Sequence, residues 1–239
     1  TGGNVRVSGG KSSAGNSGKA TVMTGDAPVG DSGDLRASTG ASTKSNSGAV
    51  QIQTGTAADQ SGSISVEAGA SGASSGGDIS IKAGDTAEGA TYGGSVYVSS
   101  GSSAHKSSGS VIVSTPSATG GSGSVKIQTG ASAKGESGDI SFVAGDSIDQ
   151  GHGGSVSLGA GAGSEGGGSV IVTAGAATSD GEGGNLNLSG GSSVSGSSGQ
   201  VSINSAGDGK ISGDVNIETG DASDISGSVQ IKTGSSYLG

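Results

Sequence analysis

Valine, isoleucine and leucine fall along this chain in spaced pairs of the form V-x-I, each pair held between glycines. Ser122-Gly123-Ser124-Val125-Lys126-Ile127-Gln128-Thr129-Gly130 states the pattern in full. Taking the glycine that opens each pair as place zero gives Gly3, Gly18, Gly33, Gly48, Gly62, Gly77, Gly94, Gly109, Gly123, Gly138, Gly154, Gly168, Gly184, Gly199, Gly213 and Gly227. These glycines define sixteen repeats with a period of about 15 residues. Place +2 is Val, Ile or Leu in every repeat except at Ala20, and place +4 is apolar throughout, with Ala37 the small exception. Place +6 has the same parity and is small, as at Thr24, Thr54, Ala68, Ala83, Thr129, Ala174 and Thr219. Alternation of this kind predicts a half-buried strand with +1, +3 and +5 turned outward.

A glycine follows at +7, replaced by Pro116 and Ala206 in two repeats, and predicts a turn. Place +9 is again almost always Ser, Ala or Thr, as at Ser12, Ala27, Ser42, Ala57, Thr86, Ala177 and Ala222, and the repeat closes through a variable loop. A five-residue strand with two large side chains is not stable alone. Stacking the repeats would make each strand the hydrogen-bonded neighbour of the next. The expectation is therefore an all-β fold. It is a parallel β-solenoid of about sixteen coils of about 15 residues, with a narrow core of Val/Ile columns facing Ser, Ala and Gly. Residues 1–239 would form a single solenoid domain, read as an uncapped segment of a longer array or filament. So short a repeat leaves no room for a helical crossover.

Charge placement supports the register. Lys11 and Asp26 share place +8, Lys19 and Asp34 share +1, and Glu67/Lys82 and Glu218/Lys232 share +5. Every adjacent charged pair in these columns is opposite in sign, which suits repeats one strand spacing apart.

Composition alone, with 54 glycines, 2% aromatic residues, one Phe and no Trp, would suggest disorder. The regular spacing of the valines and isoleucines overrules that inference. The absence of cysteine excludes disulfides and thiolate metal sites. A net charge of −9 leaves nothing to neutralise phosphates, so nucleic acid is not expected as a partner. No apolar run is long enough to insert in a membrane. The chain opens at Thr1 without a Met and is read as a processed or excerpted segment.

Motifs with chemical meaning are few. Gly161-Ala162-Gly163-Ser164-Glu165-Gly166 matches a dinucleotide-binding G-x-G-x-x-G, but it leads into another V-x-I segment and not into a helix. The acidic turns at Asp26, Asp85, Asp146 and Asp221 recur only every several repeats, so no two would share an ion, and no metal or cofactor is expected. The histidines, His105 and His152, lie in separate loops, and no enzyme activity is expected. Asn187-Leu188-Ser189 is a glycosylation sequon that would carry a glycan. Tyr92 and Tyr97, beside the longest loop, form a candidate surface contact.

The short repeat, the scarcity of aromatic residues and the Thr/Ser/Ala/Gly bias resemble the short-coil β-solenoid antifreeze proteins. More loosely, they resemble the repetitive extracellular proteins of algae and microbial surface adhesins. Membership of the antifreeze group implies ranks of outward Thr-x-Thr. The outward columns here instead mix Arg6, Arg36, Gln51, Glu67, Lys82, Tyr97 and Lys126. The function expected is structural: an extracellular or cell-surface spacer, stalk or fibre-forming subunit that assembles end to end with further copies. Ice binding is the alternative from a different class.

Overall fold

In the computed structural model the chain is described over residues 2–87, 92–149, 151–207 and 209–236. Among these residues there is no helix and no β-strand, and irregular chain alternates with bends that recur at nearly the same place in many of the repeats, as at residues 13–15, 43–45, 104–106 and 194–196. The parallel β-solenoid expected from the alternation is therefore not formed. The described residues group into two units, Thr1–Pro116 and Ser117–Gly239. The boundary falls at Pro116, where proline stands in the +7 place.

The reason lies in where the backbone bonds go. A solenoid needs bonds between equivalent places one full period apart. Here the zero glycine donates instead to the +7 glycine of the repeat just before it, across that repeat's own loop. In the first unit these closures are Gly18 N–H to Gly10 O (2.9 Å), Gly77 to Gly69 (3.3 Å), Gly94 to Gly84 (3.0 Å) and Gly109 to Gly101 (3.0 Å). In the second they are Gly154 to Gly145, Gly168 to Gly161 and Gly184 to Gly175, each 2.9 Å, and Gly199 to Gly191 at 2.8 Å. Eight loops thus close on themselves through one backbone bond each, and among the described residues none of these bonds joins one V-x-I segment to another.

The expected core is absent as well. Among the described residues no hydrophobic side chain is buried. The +2 column is only the less open of the two apolar columns, with Val125 at 52% exposure against 65% for Ile127 and 83% for Ile112 at the outward +3 place. Alternation survives as a gradient and not as an interior. With two large apolar residues in about fifteen, a repeat has too little apolar area to enclose a core by itself. The β-branched residues, which prefer extended chain, account for the V-x-I segments locally.

Among the described residues, those that are partly covered are Thr24, Ala83, Ala144, Ala174 and Ser205. All five occupy place +6. The +9 column, expected to form the opposite wall, is exposed in its described members.

Candidate functional site

What recurs along the chain is a latch of three parts, the +6 side chain, the +7 carbonyl and the next zero glycine. The closure bond brings the zero glycine back beside the +6 residue. A Cβ built on Gly154 would lie 3.1 Å from Ala144 Cβ, and one on Gly94 would lie 3.2 Å from Ala83 Cβ and 3.1 Å from Gly84 N. Where +6 is threonine the approach is an ordinary contact and is not accompanied by one of the closure bonds above: a Cβ on Gly48 would sit 3.4 Å from Thr39 Cγ2, and one on Gly138 3.6 Å from Thr129 Cγ2. None of these zero glycines has a positive φ among the described residues. At Gly94 and Gly154 glycine is needed for space and not for backbone freedom.

Where +6 is itself glycine, the two backbones close further. A Cβ on Gly9 would overlap Gly18 O, and one on Gly190 would overlap Gly199 O. The +7 glycines behave differently, for Gly84, Gly145 and Gly175 have open space around a would-be Cβ and no positive φ. They supply only a carbonyl, a group that proline also keeps. Positive φ occurs at Gly135 (+108°) and Gly151 (+155°), both later in their loops.

A serine cap completes the loop. Ser12 Oγ accepts from Gly15 N–H at 3.0 Å, Ser42 Oγ from Ser45 N–H at 3.1 Å and Ser71 Oγ from Ser74 N–H at 2.9 Å. Ser103 Oγ accepts from Lys106 N–H at 3.0 Å and Ser193 Oγ from Gly196 N–H at 2.8 Å. All five serines stand at +9. Sequence reasoning assigned this column to a packed wall and missed its role. Serine followed by a polar loop is a signal that could have found it, because a short hydroxyl side chain readily accepts from a nearby backbone amide.

The sequence-derived candidates are all on open surface. Tyr92 and Tyr97 are 86% and 91% exposed, and among the described residues no ring contact joins them. Asn187 is exposed within an unpaired segment. His105 and His152 are exposed in their separate loops. The Gly161–Gly166 motif is closed by the Gly168 to Gly161 bond, and a Cβ on Gly163 would overlap Gly166 O. Close approach of its own backbone therefore accounts for glycine at 163. Among the described residues, no group of three or more His, Cys, Asp and Glu comes together, and no cavity is found. No helix of the described residues is long and apolar enough to cross a membrane. Asp85 Oδ2 is held instead by Lys82 Nζ at 2.6 Å. That contact corrects the register expectation for Lys82, which pairs within its own repeat, while Glu67 Oε1 accepts from Ser65 Oγ at 2.7 Å. Tyr237 and Leu238, which would form a partial lid on the last repeat, lie outside the described residues.

No protein-family model, curated protein or solved structure matches the chain.

Proposed function

We propose that this chain is a structural repeat segment outside the cell, a spacer, stalk or fibre-building element that acts through the number of its repeats. The observation that carries this reading is the recurrence of one latch, made by the same atoms at eight loops, each contained within the span from one repeat to the next. A unit closed in this way can be added or removed without disturbing a shared core, which is what a spacer of adjustable length requires. Variable loops between latches, including Asp85 to Tyr92, would then carry any individual contacts, with the exposed Tyr92 and Tyr97 as aromatic anchors. Asn187 is the place for an attached glycan.

Labelling intact source cells with a membrane-impermeant amine reagent tests the location, since Lys126, Lys134 and Lys232 are exposed. Strong labelling before lysis is expected. Labelling only after lysis would overturn the reading.

A further inference from the structure

Among the described residues, V-x-I segments such as Val125-Lys126-Ile127 leave two kinds of group open. Their apolar side chains stand in the open at regular spacing, and the N–H and C=O groups of segments such as Val125-Lys126-Ile127 take no part in the backbone bonds, which join zero and +7 glycines. Exposed apolar surface repeated in this way marks an interaction site, and an unpaired backbone row is a template for another chain. We propose that the occupant is a second copy of this chain, parallel to the first and displaced from it by one repeat.

A second copy presents the same two apolar residues at the same places along its whole length, so a single displacement satisfies every segment but one at each end. Charge decides which displacement. Paired without displacement, neighbouring chains about 4.8 Å apart would set Lys19 against Lys19, Glu67 against Glu67 and Glu218 against Glu218. Displaced by one repeat, Lys19 meets Asp34, Glu67 meets Lys82, Glu218 meets Lys232 and Lys11 meets Asp26. Within the single chain the described residues make none of these four contacts, and Lys82 turns to Asp85. The opposite signs therefore have their use between chains. Loops of unequal length, such as Gly84 to Gly94 and Gly161 to Gly168, lie outside the paired segments and absorb the mismatch. A displaced contact never closes on itself, so assembly is open-ended.

The inference deepens the structural reading above, naming its partner and register. Its test uses the purified chain, so failure bears on pairing and not on location. Sedimentation and the infrared amide I band would be followed together as concentration rises at low salt, for the unmodified chain, for Glu218→Lys, and for Glu218→Lys combined with Lys232→Glu. Monomers without a β band are expected at low concentration, with association and the β band rising together. Glu218→Lys should raise the concentration for half-association about two- to fivefold, although it lowers the net charge from −9 to −7 and general repulsion with it. The double exchange should restore it. An undisplaced pair exchanges Glu–Glu for Lys–Lys and would show no such weakening. That result, a chain monomeric at every concentration, a β band in the monomer, or failure of the double exchange to rescue would each overturn the proposal.

Discussion

Ala144 and Gly154 meet across a loop. The Gly154 N–H donates to Gly145 O at 2.9 Å, and the returning backbone comes so near that a Cβ on Gly154 would stand 3.1 Å from Ala144 Cβ. The same closure recurs where +6 is glycine, alanine or serine, as at Gly9, Ala83 and Ser100.

Glycine at the two ends of one closure should therefore respond in opposite ways to alanine. Gly154→Ala forces a methyl against Ala144 and should weaken the closure by roughly 1 kcal/mol. Gly145→Ala places a methyl in open space and should strengthen it by about 0.4–1 kcal/mol, because alanine restricts the open chain. Hydrogen exchange at the residue 154 amide reads both. Equal effects of the two changes would contradict the latch.

Ser193→Ala removes the acceptor that holds Gly196 N–H at 2.8 Å. The expected cost is about 0.5 kcal/mol, the low end for a hydrogen bond, since water can replace the hydroxyl on an exposed loop. The temperature coefficient of the Gly196 amide should shift toward the value of a free amide. Ser192→Ala, one place earlier, should leave it unchanged.

The Lys82–Asp85 pair is short but open to solvent on both sides. Asp85→Asn should cost less than about 1 kcal/mol, and added salt should remove most of even that. A larger effect on local exchange in residues 77–87 would mean that Asp85 has a role beyond this pair.

Much of this was legible in the residues. The repeat boundaries, the zero glycine and the small +6 column stand at the places the alternation gives them. Alternation shows which places share a face, but it cannot show that anything covers that face. The step from parity to burial at Val125 and Ile127 is where the solenoid expectation fails. Glycine is ambiguous in a similar way, because Gly154 and Gly145 look alike in sequence while one is crowded and the other is not. Serine at +9 was read by size when its hydroxyl mattered more.

A consequence follows for the apolar columns. Buried in a single-chain core, Ile127→Asp would cost several kcal/mol and Lys126→Asp little. With Ile127 open to solvent in the single chain, both changes should leave the loop closures of a dilute sample alike. Only under associating conditions should Ile127→Asp stand out, by preventing assembly. A clear difference between the two in the monomer, read by amide exchange, would contradict the open face.

The most direct measurement is the through-hydrogen-bond scalar coupling between amide nitrogen and carbonyl carbon in the isotope-labelled monomer. Cross-peaks are expected from Gly154 N to the Gly145 carbonyl, from Gly184 N to that of Gly175 and from Gly199 N to that of Gly191. Couplings that instead link V-x-I residues to the equivalent places one period away in the same chain would show that the repeats pair with one another and not across their own loops, and would contradict the latch.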